Sequence, residues 1–432
     1  MQSWSLKLNI CVNEKLTQNT QTQKICFYGS GACFSMSTSS VSQTAVSSTR
    51  NMAAVALTLA SFLAASSAPT PLYRLYQQAW GFSSGMLTLI FAVYAFSLLV
   101  ALLTMGALSD YLGRRPVILA ALGLEAVSML MFAHAQDAQA LLWSRVVQGF
   151  ATGMASAALG AALLDMDRER GALINTLAPM IGMAAGVFGA NQLASQGHDG
   201  LHQIYWWLLL VFAASAWAIA VMPETVSRRS GALASMRPRI RLPAHIRPAF
   251  LRMAPLDIAA WALAGFYLSL GPTLLRVITG STLMAGLAVC INTLSAAAAI
   301  WLLRHWTTQR MLRFGGSVLP LGIVILLLGV ASHSLTLMVA ASIIAGAGFG
   351  VGFQGALRSV LPLAEPHERG GLLSTIYVLS YLAFSLPAIA AGLLTQSLGL
   401  VPTTYGYGLM LIVLGLLALA ATRQQAVVRQ AT

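Results

Sequence analysis

Charge is scarce in this 432-residue sequence: Asp, Glu, Lys and Arg together make 9% of it, against 57% hydrophobic residues. A soluble domain carries about 25% charged residues, so too little polar surface exists here to coat a water-facing body. The mean hydropathy of +0.74 agrees. Lysine ends at Lys24, and a phosphate-binding loop of the Gly-x-x-x-x-Gly-Lys type needs that residue on its phosphates, so no such ATP-driven motor follows it. Cysteine is nearly missing too: Cys11, Cys26 and Cys33 lie in the first 35 residues and only Cys290 beyond them. That leaves no disulfide framework and no metal-ligand spacing. Paired catalytic acids, or a nucleophile with a nearby base, are also missing at matched depths. Neither an enzyme nor a bound metal or cofactor is expected.

What is present is apolar length. Twelve stretches approach the roughly 20 residues that a bilayer-crossing helix needs. They fall at about 52–72, 84–105, 116–134, 139–164, 172–194, 203–222, 253–275, 282–303, 314–331, 335–362, 372–394 and 404–422. The expected class is an all-α polytopic protein with twelve transmembrane helices in a lipid bilayer. The net charge of +13 follows the loops: 21 of the 25 Lys and Arg fall in the termini and the even-numbered loops, only Arg74 and Arg276 in odd ones, and Arg145 and Arg358 inside helices. Basic loops face the cytoplasm, which places both termini on the cytoplasmic side; the expected location is the inner (plasma) membrane of a bacterium. The charge is thus topological, with no nucleic-acid partner implied.

The first 35 residues stand apart. All three lysines and three of the four cysteines lie there, and every later basic position is arginine. They hold no apolar run of signal-peptide length. Met36 opens a Ser/Thr-rich stretch leading to the first span, so translation is expected to start there; a disordered regulatory tail is the alternative. The remaining segments are 1–50 as cytoplasmic leader, 51–222 as a six-helix bundle, 223–252 as a linker with seven arginines, 253–423 as a second six-helix bundle, and 424–432 as a tail.

A repeat supports two similar halves. At an offset of 199, Gly149-Phe150 falls on Gly348-Phe349, Gly153 on Gly352, and Glu169-Arg170-Gly171 on Glu368-Arg369-Gly370. Ten identities occur in 28 positions, and the charged triplet carries most of the weight because charges are rare here. The same offset brings Arg114 onto Arg313. Two six-helix halves of the same orientation, related by a pseudo-twofold axis, follow.

The loop between helices 2 and 3 reads Gly106-Ala107-Leu108-Ser109-Asp110-Tyr111-Leu112-Gly113-Arg114-Arg115-Pro116. It resembles the signature loop of the major facilitator superfamily, Gly-x-Leu-x-Asp-x-x-Gly-Arg-Arg/Lys, and in the same place. By its chemistry, Gly106 lets another helix approach closely, Asp110 suits a helix N-terminus, and Arg114 and Arg115 can pair with Asp165 or Asp167. The resemblance implies that this loop latches the two halves when the transporter faces outward. The second copy is degenerate, with Gln309 in place of the acid and Leu312 in place of the second glycine. Arg145 in helix 4 stands where that family links an arginine to proton coupling; the alternative is an arginine that snorkels or caps carbonyls. The Gly-Pro motif that drug–proton antiporters of the family often carry in helix 5 is missing, although Gly182, Gly186 and Gly189 give that helix a smooth face.

Glu125, near the middle of helix 3, is a proton-site candidate beside Arg145, because an ionised carboxylate is costly at that depth. Asp257 is expected one turn inside helix 7, as a wet interfacial residue near Arg252. Arg358 is open between a cavity charge and a structural partner. The family's cavity is lined by helices 1, 4, 7 and 10 with their flanking neighbours, which singles out Gln148, Asn191, Trp261, Asn292, Tyr377 and Tyr381. Such a lining favours amphipathic or uncharged solutes. His198 and His202, spaced i, i+4 beside Asp199, are expected in a solvated loop. The functional expectation is a monomeric secondary transporter working by alternating access, exporting an amphipathic drug or metabolite against protons. Proton symport of a sugar or organic acid is one alternative, and a non-transporting membrane sensor of the same fold is another.

Overall fold

The computed structural model describes residues 22–26, 33–37, 39–194, 200–238, 240–280, 282–365 and 368–431, and the chain divides into two compact units, 1–53 and 54–432. The first unit holds an antiparallel hairpin, Thr22–Cys26 with Cys33–Ser37, in which Met36 pairs with Gln23. The leader thus carries the two described strands of an otherwise helical chain.

The described residues then form twelve long helices: helix 1 Ser39–Ser67, helix 2 Ser84–Met105, helix 3 Arg114–Ala133, helix 4 Ala138–Met166, helix 5 Arg168–Ala194, helix 6 Gly200–Ala220, helix 7 Arg247–Ser269, helix 8 Thr282–Leu302, helix 9 Thr308–Ala331, helix 10 Leu335–Val360, helix 11 Arg369–Ser397 and helix 12 Leu400–Ala431. Among the described residues, ten (helices 2–7 and 9–12) are long and apolar enough to cross a membrane, and helix 8 contributes a shorter apolar segment, Gly286–Leu302. Side-chain caps start several of them: Ser83, Asp137 and Ser334 accept from the backbone N–H of Met86, Ala140 and Leu337, filling orphan donors of the first turn.

Several boundaries differ from the sequence expectation, and proline explains those of helix 7 and the end of helix 1. Helix 7 begins at Arg247 rather than 253, because Pro248 falls in its first turn, where a missing N–H costs nothing. It stops at Ser269, and Gly271–Thr279 forms a separate short helix with Pro272 in its own first turn. The linker is correspondingly shorter. Helix 1 likewise ends at Ser67, ahead of Pro69 and Pro71, and a short helix Tyr73–Trp80 follows.

The packing repeats under a shift of six helices. Helix 4 packs on helices 2 and 3, and helix 3 on helix 6; likewise helix 10 packs on 8 and 9, and helix 9 on 12. Between the halves, helix 5 meets helix 8 and helix 11 meets helix 2, which is one contact seen twice. The register of the repeat differs from the offset of 199 inside the membrane. Gly149 and Gly153 sit so close to helix 2 that an added Cβ would lie 2.3 Å from the carbonyl oxygen of Tyr94 and 2.5 Å from that of Leu98. The glycines doing this against helix 8 are Gly346, at Asn292, and Gly350, at Ala296. Helices 4 and 10 therefore correspond at an offset of 197, which also superposes their caps Asp137 and Ser334. Helices 2 and 8 correspond at 198.

Candidate functional site

The loop after helix 2 folds back on the first half. The Arg114 guanidinium is buried between acids: its Nε donates to Asp165 Oδ2 at 2.9 Å, and its Nη1 to Ser109 Oγ at 2.7 Å and to Asp110. Asp110 itself is half-exposed. Arg115 makes no ion pair among the described residues; it donates to the Met222 carbonyl at 3.4 Å. Asp167, also expected as a partner, instead caps helix 5, accepting from the N–H groups of Glu169 and Arg170 at 3.0 and 2.8 Å. Gly106 has the Leu102 carbonyl of its own preceding turn against it, at 2.4 Å from an added Cβ, so its smallness serves that turn rather than a second helix.

A residue that sequence spacing misses completes the loop. Glu224, just past helix 6, accepts from the backbone N–H of Arg114 at 2.8 Å and of Arg115 at 3.1 Å. It is an N-terminal cap for helix 3 delivered from 110 residues away. Gly113 makes this possible: its φ is +100°, and an added Cβ would lie 2.6 Å from Glu224 Oε2. Replacing Glu224 with Ala is expected to cost about 1 kcal/mol, as for other lost caps, read as a lower Tm in detergent. Gly113→Ala should cost more, because it combines the left-handed strain with displacement of the Glu224 carboxylate.

Deeper in the first half lies a buried polar chain. Arg145 is 2% exposed. Its Nε donates to the Tyr73 hydroxyl, and its Nη1 to the Ser66 carbonyl at 2.8 Å and to Gln148 Oε1 at 2.6 Å. The Gln148 amide donates onward to the Ala65 carbonyl at 3.1 Å and to Glu125 Oε1 at 3.3 Å. Glu125 is fully buried, and its second oxygen has no partner. No direct ion pair joins Glu125 and Arg145, so Gln148 is the bridge. The guanidinium lies over the rings of Tyr73, Tyr94 and Phe132, with its carbon 5.2–5.7 Å from their centroids.

The corrected register reveals what replaces this cluster in the second half. Arg145 corresponds to Ser342 and Tyr94 to Asn292. There the Tyr267 hydroxyl donates to Ser342 Oγ at 3.0 Å, and the Asn292 amide to the Ser342 carbonyl at 3.3 Å. The charged cluster of one half thus has a neutral hydrogen-bonded counterpart at the equivalent place in the other.

Of the remaining candidates, Trp261 stands at a wall of rings, with centroids 5.0 Å from Tyr381 and 5.5 Å from Phe353; Tyr377 lies 6.5 Å from Tyr381. Asn191 is buried against Gly286 of helix 8. Asp257 is the clear departure: fully buried rather than interfacial, with Oδ2 accepting from Ser380 on helix 11 at 2.9 Å and Oδ1 unpartnered. The early start of helix 7 accounts for this, since Asp257 then lies about 15 Å along it at 1.5 Å per residue. Arg358 is a structural partner, donating to the Arg304 carbonyl at 3.0 Å. His202 sits in the first turn of helix 6, while His198 and Asp199 lie outside the described residues.

Contacts between the halves cluster away from the Asp110 loop. An added Cβ on Gly392 would lie 1.9 Å from Thr88 Oγ1, and one on Gly85 3.2 Å from Gln396. The rings of Phe91 and Phe384 meet at a tilt with centroids 5.0 Å apart, and Cys290 donates to the Ala184 carbonyl at 3.3 Å. At the Asp110 end, no ion pair among the described residues joins the halves.

Comparisons with known proteins agree with this architecture. The sequence pattern of the Major Facilitator Superfamily matches residues 53–319. A relative named multidrug resistance protein MdtL, from Citrobacter koseri, is 25% identical over 293 residues, covering 65% of this chain and 72% of the relative. Two solved structures share the fold. One is a single-site mutant of the nucleoside transporter NupG (TM-score 0.65, 14% identity). The other is the human organic anion transporter MFSD10 (TM-score 0.60, 21% identity). Each match covers 86% of this chain and 99% of the solved one.

Proposed function

The chain belongs to the major facilitator superfamily and is a multi-pass membrane transporter of a small molecule; from that premise we propose that it exports an amphipathic compound in exchange for protons. The observation that carries the reading is the buried chain Glu125–Gln148–Arg145. A carboxylate and a guanidinium deep in a bilayer are costly unless they serve a pathway. Gln148 couples them without fusing them into a neutral pair, so a proton arriving on Glu125 changes the field around Arg145. The similarity to a protein named for multidrug resistance supports the export direction.

In this reading the basic loops lie in the cytoplasm, with both termini, and the Asp110 loop marks that side. The contacts at Thr88–Gly392 and Phe91–Phe384 then close the outer end, and the protein faces inward. Asp110, which pairs only inside its own half here, engages the second half when the bundles rock about the midplane and the inner end closes. The protein works as a monomer.

The test is proton movement in inside-out vesicles, followed with a pH-sensitive dye and a panel of amphipathic compounds. A compound that is a substrate should dissipate the imposed gradient with the unmodified protein and not with Glu125→Gln or Arg145→Ala. If no compound moves protons while whole cells accumulate a radiolabelled sugar or organic acid, the protein is an uptake symporter and the proposal fails.

A further inference from the structure

We propose that Asp257 is the counter-ion for a cationic, amphipathic substrate, whose apolar body rests on the rings of Trp261 and Tyr381. The inference rests on the export reading above and names the substrate class of that transporter.

Three observations meet at one place. Asp257 is fully buried, one of its oxygens is spent on Ser380 and the other has no partner. Among the described residues no cationic side chain comes within ion-pair distance of it. The nearest basic candidate along the helix, Arg252, is exposed, and Arg358 is committed to a backbone carbonyl. A carboxyl group that ionises in a membrane interior without a partner is expensive, and such residues mark substrate pathways. Trp261 lies four residues further along helix 7 and so on the same face, one turn away. Its ring makes a wall with Tyr381 and Phe353, and both Trp261 and Tyr381 are only partly buried. Aromatic faces attract cations through their quadrupole, most strongly where water is excluded. One more polar atom of this wall lacks a partner, Trp261 Nε1.

A carboxylate with a free oxygen and a ring wall one turn away complement a delocalised or quaternary cation on an apolar body. An anion would be repelled, and a neutral solute would leave the carboxylate uncompensated.

The competing account is that Asp257 only ties helix 7 to helix 11 through Ser380. The two are separated by transport in proteoliposomes of tetraphenylphosphonium, a lipophilic cation, and chloramphenicol, a neutral amphipath, by the unmodified protein, Asp257→Asn and Ser380→Ala. Losing the buried counter-charge should weaken tetraphenylphosphonium binding about thirtyfold or more and leave chloramphenicol transport within about twofold, while Ser380→Ala keeps both. The inference is overturned if Asp257→Asn still moves the cation, or if Ser380→Ala reproduces the loss. If the unmodified protein moves chloramphenicol but not the cation, this inference falls alone; if it moves neither against protons, the export reading falls with it. A variant-free check uses calorimetry on the unmodified protein with tetraphenylphosphonium and tetraphenylborate, which share a shape and differ in sign. Preference for the phosphonium supports the counter-ion, and equal binding of both removes it.

Discussion

Arg145→Ala should reduce proton-coupled transport at least about a hundredfold and lower the protein's stability by about 3–5 kcal/mol. The guanidinium holds the Tyr73 hydroxyl, the Ser66 carbonyl and Gln148 Oε1 at once. Removing one partner from a buried charged network leaves the others stranded, and that is the cost quoted; each 1.4 kcal/mol is a factor of ten in an equilibrium. Arg145→Lys separates structure from coupling. A lysine keeps the charge but cannot present a planar fork to three acceptors, so stability should largely return while transport stays at least about tenfold down. If Lys restores transport fully, only the charge matters and the bridging role of Gln148 is wrong. Thermal unfolding in detergent and substrate-driven proton flux in proteoliposomes read the two effects. The double variant with Glu125→Gln should cost less than the sum of the singles, because the two groups share Gln148.

Gly392→Val should hold the transporter open at the end that is closed here. An added Cβ at Gly392 would lie 1.9 Å from Thr88 Oγ1 and 2.9 Å from Thr88 Cβ. Thr88 is short and branched, so it cannot swing away as the tip of a long side chain would. Overpacking of this kind costs about 1–3 kcal/mol, roughly ten- to a hundredfold in the balance between two states. The helices yield by separating, because helix 2 and helix 11 belong to different halves. Spin labels at Gln78 and Ser397, with native cysteines replaced, should report a longer distance in the variant than in the parent, and transport should fall with it. Thr88→Ala added to Gly392→Val should bring back part of both. An unchanged distance distribution would mean that the halves do not part along this seam.

How far the sequence carried these features varies by residue, for physical reasons. The loop Gly106–Arg115 was legible because charge and glycine at fixed spacing are rare in an apolar chain, and Arg145 because a guanidinium inside a span has few reasons to be there. Glu224 was not legible: it caps helix 3 from a distant part of the chain, and no local spacing announces such a contact. Asp257 was misplaced because Arg247 and Arg252 make the first turns of helix 7 look like linker, although Pro248 is a good helix opener. The repeat was found, but two residues out of register within helices 4 and 10. Gly346, Gly348, Gly350 and Gly352 alternate along helix 10, so identity alone fits at either offset; only the approach to the helix 8 backbone distinguishes Gly346 and Gly350. The all-α, multi-pass class followed from apolar length, while the hairpin in the leader left no such mark.

Proton release on substrate binding tests the central claim most directly. In weakly buffered detergent solution, a saturating amphipathic substrate of the unmodified protein should liberate protons, as an antiporter whose substrate displaces the proton on Glu125 requires. Glu125→Gln should bind the same compound and release none. Binding without release by the unmodified protein, or equal release from Glu125→Gln, would contradict exchange through Glu125.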